Sequence, residues 1–255
     1  MRNIRLTIEY DGLGYCGWQT QKKIKGQPRK KISAQEAIES CLKKILKHEV
    51  KLIASGRTDS GVHALGQVAN FRTSSKITPD KIRLALNYNL PKKIRIVAAQ
   101  YIPLKFHSRY DPVSKIYRYY ILNQDYKPPF LENYCYWVKL PLNVKLMQRA
   151  AGYLLGKHDF KVFCASGSKI EDTRRTVKRA VINKLSIFSC NLICVEIEAD
   201  GFLYNMARNI VGTLIEIGRE RFAPQYIKKI IAAKDRSLAG PCVPARGLFL
   251  VEVKY

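Results

Sequence analysis

Hydrophobic and polar positions alternate from the first residues of the chain. In MRNIRLTIEY, Ile4, Leu6, Ile8 and Tyr10 interleave with Arg5, Thr7 and Glu9, the period-two pattern of a strand. A Gly-rich turn, Asp11 to Gly17, follows. Ser33 with Glu36 three residues on reads as a capping box that opens a helix running to about Lys47, with Ile38, Leu42, Ile45 and Leu46 as its core-facing stripe. Short strands near 50–54 and 62–71 flank the loop SGRTDSG. Thr78-Pro79 starts a helix that ends before Pro91, and 94–102 reads as a strand. The second half repeats this grammar. Residues 113–122 are extended, with Tyr117, Tyr119 and Ile121 on one face. A helix over 143–155 ends at Gly156 as its C′ glycine, and strands near 176–185 and 192–199 pair as a hairpin. A helix over 202–217 ends at Gly218, Pro224 opens another, and GLFLVEVKY closes the chain as a strand. The pattern predicts an α+β protein with two halves, 1–104 and 105–255, whose sheets can join.

The length, 255 residues, suits one large domain or two small ones sharing a core. With 47% apolar and 25% charged residues, 15 glycines and 11 prolines, disordered, collagenous and low-complexity classes are excluded. Charge changes the picture. Forty-five Lys and Arg oppose 20 Asp and Glu, a formal net charge of +25, and the self-repulsion this costs is usually compensated by a polyanion, nucleic acid or acidic membrane. The N-terminus lacks the apolar run of a signal peptide, and nowhere do about 18 apolar residues run together, so a cytoplasmic protein without a membrane span is expected. The seven cysteines form no C-x-x-C pair and the four histidines are well separated, so zinc spacing is lacking and thiols in or near a core are expected, a reactive one being the other reading. No P-loop or G-x-G-x-x-G occurs, so neither ATP, NAD nor metal chemistry is supported and no cofactor is expected.

Four segments can carry chemistry. The run KKIKGQPRKK, 22–31, has six cations and no acid; Lys22, Lys23 and Lys25 read equally as a solvated loop or a phosphate-tracking arm. In Ser55-Gly56-Arg57-Thr58-Asp59-Ser60-Gly61-Val62-His63 the glycines allow a sharp, closely approached backbone. If this stretch is extended, Arg57 and Asp59 point to one side, and a carboxylate beside a guanidinium stays ionised, as a nucleophile or base must. The plainer reading is a turn with Asp59 bonded to nearby backbone N–H groups. In FHSRYDPVSKIYRYYI, which contains Arg109 and Tyr117, interleaved Tyr and Arg can stack bases and grip phosphates, or form a half-buried strand with snorkelling arginines. On the helix over 202–217, Leu203, Met206, Ile210, Leu214 and Ile217 make the main stripe. Arg208 lies on a second, partly apolar side that wants a carboxylate partner, unless it is a surface residue.

SGRTDSGVHALGQVANF closely resembles the catalytic motif of the tRNA pseudouridine synthase A family, G-R-T-D-x-G-V-H-A-x-G-Q-V. IEYDGLGYCGWQTQ is similar to that family's opening strand and turn, FHSRYDPVSKIYRY to its second motif, GFLYNMARNIVGTL to its third and GPCVPARGLFLVEVKY to its last. The motifs keep family order from Ile4 to Tyr255, nearly the whole chain.

The resemblance implies that Asp59 is the catalytic carboxylate and that Arg57 contacts RNA and helps hold a flipped-out nucleotide. Tyr117 matches the tyrosine that packs on the target base, a candidate for removing the C5 proton. Arg208 matches the arginine paired with the carboxylate, and Leu248 the apolar residue lining the uracil pocket. Arg109, Lys22, Lys23 and Lys25 are expected to bind substrate. The family implies two ferredoxin-like α+β halves, a mainly antiparallel, continuous sheet flanked by helices, a homodimer, and isomerisation of tRNA uridines 38 to 40. The chain departs from the pattern in the basic insertion 22–31, in Ser55 and Ser60 where alanine is common, and in Ala207 where valine is common. The same reaction at other RNA uridines, and a non-catalytic tRNA-binding protein or RNA chaperone on this fold, are the alternatives.

Overall fold

The structure is a computed structural model that describes residues 1–19, 31–167 and 170–255. In chain order the elements are β1 (Arg2–Tyr10), α1 (Ala34–Leu46), β2 (Ile53–Ala54), β3 (His63–Thr73), α2 (Pro79–Asn89), β4 (Ile94–Ile102), β5 (Ser114–Leu122), β6 (Tyr136–Trp137), α3 (Val144–Gly152), β7 (Gly156–Asp159), β8 (Arg174–Ile187), β9 (Cys190–Ala199), α4 (Met206–Gly218), α5 (Tyr226–Ala233) and β10 (Leu248–Lys254). This is a mixed α/β architecture with mainly antiparallel strands. It groups into two compact units, Met1–Val113 with Phe249–Tyr255, and Ser114–Leu248.

In the first unit the strands run in the order β4-β1-β3-β10, with β2 beside β3. The alternation along β1 is a burial pattern: Ile4, Leu6 and Ile8 are fully buried and Tyr10 nearly so. The capping serine forms its bond, Ser33 Oγ accepting from Glu36 N at 3.0 Å, and α1 stops where Lys47 turns left-handed (φ 62). Asn87 ties α2 to β4 through two bonds to the backbone of Ile96, 2.7 and 3.0 Å. Residues 103–113 group with the first unit through side-chain and backbone bonds. Asn3 donates to the carbonyls of Pro103 and Phe106, Asn70 accepts from Ser108 N, Val113 N donates to Lys254 O, and Tyr255 OH donates to Ser108 O. Residues 103–113 are thereby laced to β1, β3 and the chain's own end.

In the second unit the order is β5-β9-β8-β7, with β6 parallel to β5. The expected hairpin is present and longer than its apolar pattern, turning at Phe188 and Ser189, both at positive φ (49 and 61). Two helices differ from expectation. The one expected over 143–155 ends at Gly152: Tyr153, Leu154 and Leu155 donate to carbonyls three residues back, and Gly156 (φ 97) opens β7. The one expected over 202–217 begins at Met206, because Asn205 is left-handed (φ 58). All seven cysteines are thiols, four of them buried. Among the described residues no helix is long and apolar enough to cross a membrane.

Candidate active site

Asp59 lies in the first unit, on an irregular loop between β2 and β3. Burial alternates along it: Ser55 and Thr58 are buried, Arg57 is exposed and Asp59 is half-buried. Arg57 and Asp59 are thus both less buried than Thr58 between them. The turn after β1 holds this loop from beneath. Tyr10 OH and Thr58 Oγ1 are 2.7 Å apart in a buried contact, and Trp18 N donates to Thr58 O at 3.0 Å. Ser60 Oγ donates to Tyr15 O at 3.0 Å, and Val62 N to Asp59 O at 3.1 Å. Backbone approaches backbone here so closely that side chains are excluded. A Cβ on Gly12 would stand 2.1 Å from Val62 O, and one on Gly17 (φ 100) 2.7 Å from Thr58 O. Burial pushes the Tyr10 phenol up to about 12, against its hydrogen bonds to Thr58 and Gln67, so it stays neutral at physiological pH.

The other flank is held from β3. Ser55 Oγ donates to Gln67 Oε1 at 2.7 Å, while Gln67 Nε2 donates to Gly56 O at 2.9 Å. His63 is buried and stacked on Phe249 with ring centres 4.6 Å apart, and it accepts from Gly12 N at 3.2 Å. Both residues bracketing Asp59 are therefore fixed, and the carboxylate is presented by a loop with little freedom to recoil.

Tyr117, Arg208 and Leu248 belong to the second unit. Tyr117 is nearly buried on β5, edge-on to Phe202 at 4.7 Å between ring centres. Every residue of α4 is buried except Arg208, which is half-buried. It is not a surface arginine: Nε donates to Val243 O and Nη1 to Asn205 Oδ1, each at 2.7 Å. The segment 240–248 gathers these parts. Gly240 lies so close to α4 that a Cβ would sit 2.7 Å from Thr213 N, and its N–H donates to Thr213 Oγ1 at 2.8 Å. Pro244 O accepts from Tyr119 OH at 2.7 Å, a Cβ on Gly247 would meet the Tyr119 ring at 2.6 Å, and Leu248 follows directly, buried. Arg208 and Leu248 are thus brought into one neighbourhood with the face of β5 that carries Tyr117 and Tyr119.

Arg109 is exposed in a loop of the first unit, its guanidinium 5.5 Å from the centre of the Tyr110 ring. Lys22, Lys23 and Lys25 lie outside the described residues, as does the run 22–31 apart from exposed Lys31. Tyr10, Gly17 and Asn205 escape a reading of the sequence as site parts. Each lies inside a motif quoted above; contacts across many residues show what Tyr10 and Gly17 hold, and the left-handed backbone of Asn205 shows that it meets Arg208 instead of capping the helix.

One unit thus presents a carboxylate on a pinned loop, the other gathers a tyrosine and a held arginine, and the chain that carries both is strongly basic, a combination that suits an enzyme of polyanionic substrates. Residues 6–111 and 150–255 match the family described as tRNA pseudouridine synthase, and the chain belongs to that family. It is 49% identical to tRNA pseudouridine synthase A of Caldicellulosiruptor bescii and 44% identical to that of a Thermoanaerobacter species, each over 100% of both chains. To tRNA pseudouridine synthase A 2 of Clostridium tetani it is 45% identical over 100% of this chain and 99% of the relative.

Proposed function

We propose that this protein converts uridine to pseudouridine at positions 38 to 40 of the tRNA anticodon arm, with Asp59 as the essential carboxylate. The observation that carries the reading is the Asp59 loop, gripped at Thr58 and Ser60 by the end of β1 and the turn after it. Family membership supports the reaction class. The reaction breaks the C1′–N1 bond, turns the uracil and forms a C1′–C5 bond; C5 loses its proton and N1 gains one, so the product is an isomer. A stacked uridine hides both carbons and must be flipped out first, at a few kcal/mol that phosphate binding offsets. Positive charge then develops at the ribose as in glycoside cleavage. An ionised Asp59 stabilises it, adds to C1′, or abstracts H2′; these routes share one requirement, a deprotonated and fixed carboxylate.

Arg208 is read as the cation that keeps Asp59 ionised. Tyr117 stacks on the base and takes the C5 proton, and Leu248 closes the uracil pocket against water. Arg57, Arg109 and the lysines at 22, 23 and 25 grip the RNA, and the enzyme works as a cytoplasmic homodimer. The two units are read as halves of a duplicated scaffold. Asp59→Ala is expected to abolish tritium release from C5-labelled tRNA while leaving tRNA affinity within a few-fold; retained turnover sinks the assignment. Mapping pseudouridine in tRNA from a strain lacking the gene tests position: losses outside 38–40 redirect the target, and an unchanged map with intact binding favours the RNA chaperone.

A further inference from the structure

Asn205 stands at the N-cap of α4 and does not cap it. A capping asparagine is ordinarily extended, and its side-chain oxygen accepts from a backbone N–H in the first turn. Asn205 is left-handed instead (φ 58, ψ 10), and its side chain makes no bond to the helix backbone. Its Oδ1 accepts from Arg208 Nη1 at 2.7 Å, one turn along. Arg208 Nε is held at the same distance by Val243 O. A planar guanidinium bonded through two different nitrogens to two separate segments is fixed in position and in plane. The left-handed conformation is unfavourable for a residue with a Cβ, although asparagine tolerates it better than most. The sequence thus forgoes a cap and accepts an uncommon backbone at the residue that meets this guanidinium.

From this geometry we infer that Asn205 is a positioning residue for Arg208, setting the plane in which the arginine meets the catalytic carboxylate. The inference rests on the reading of Arg208 given above. A carboxylate bound side by side to two guanidinium nitrogens demands coplanarity, so a guanidinium free to rotate would hold the acid less often in working geometry. Asn205 acts through Arg208 and is not assigned contact with the substrate.

Three variants separate the possibilities. Asn205→Gly removes the acceptor while suiting the left-handed backbone, Asn205→Asp keeps an acceptor oxygen, and Arg208→Ala is the reference. Turnover and KM are read by tritium release from tRNA, and folding by Tm. Positioning predicts that Asn205→Gly lowers kcat about tenfold or more with KM within about threefold and Tm at or above the native value, while Asn205→Asp stays within about fivefold of native kcat. Native kcat in Asn205→Gly beside an inactive Arg208→Ala overturns the inference and spares the reading of Arg208. Native kcat in Arg208→Ala overturns that reading itself. A kcat loss that appears equally in Asn205→Gly and Asn205→Asp, with lowered Tm in both, marks Asn205 as structural and also overturns the inference.

Discussion

Gly17 and Gly14 lie three residues apart in the turn that supports Asp59, and they make a controlled pair. Both have φ that L side chains rarely adopt, 100 and 94. An alanine at either therefore carries a similar backbone cost, about 1–2 kcal/mol. Their surroundings differ. A Cβ at position 14 meets nothing within 4 Å, whereas one at position 17 would lie 2.7 Å from Thr58 O and 3.2 Å from Asp59 C and Ser60 N. These are backbone atoms, so relief requires moving the loop by roughly half an ångström to an ångström. A misplacement of that size at a catalytic group costs on the order of 10²-fold in rate. Gly14→Ala is expected to lower Tm by roughly 2–8 °C, at about 2–4 °C per kcal/mol for a chain near this size, and to leave kcat within about threefold. Gly17→Ala is expected to lower kcat by about 10²-fold at a temperature where both variants are folded, with tRNA affinity little changed. The assay is tritium release at saturating tRNA, alongside thermal melts and filter binding. Equal turnover in the two variants would refute the claim that the turn sets the position of Asp59.

Tyr10 gives a pH prediction. Its phenol is raised to about 12 from 10.0 by burial, so below pH 10 the stability linked to this proton is fully present, and between pH 10 and about 12 the unfolded chain releases the proton first and stability falls. Tyr10→Phe should flatten the loss of stability between pH 10 and 12 in urea melts, while costing about 1–3 kcal/mol near pH 8 by leaving Thr58 Oγ1 without its buried partner. An unaltered alkaline slope would count against this. At the β8–β9 turn, replacing Phe188 by Asn and Ser189 by Gly relieves two positive φ angles, and should raise Tm by a few degrees at roughly 1 kcal/mol per residue without changing turnover. No rise in Tm would show that the turn carries no such strain.

The strands and helices that were legible from residue order are those whose burial follows a period. The alternation Ile4, Leu6, Ile8 has one stable outcome, a strand with one face in the core, and the bond from Glu36 N to Ser33 Oγ needs only local geometry. Both survive intact in the fold. Helix ends differ from the pattern where apolar residues continue past the last helical bond, as at 153–155, or precede the first, as at Leu203; Leu154 and Leu203 are buried without being helical, and periodicity does not separate the two.

The candidate chemistry divides the same way. The residue order determined that a carboxylate would sit between glycines on a strongly basic chain, and the motif around Asp59 announced the family that its full-length relatives bear out. Tertiary structure alone decided what holds that motif in the first unit and what holds Arg208 in the second. Gly17 meets Thr58 across forty-one positions, and Val243 reaches Arg208 from thirty-five residues away. These contacts depend on which backbones pack together, and hydrophobic period says only that a face is buried, never against what.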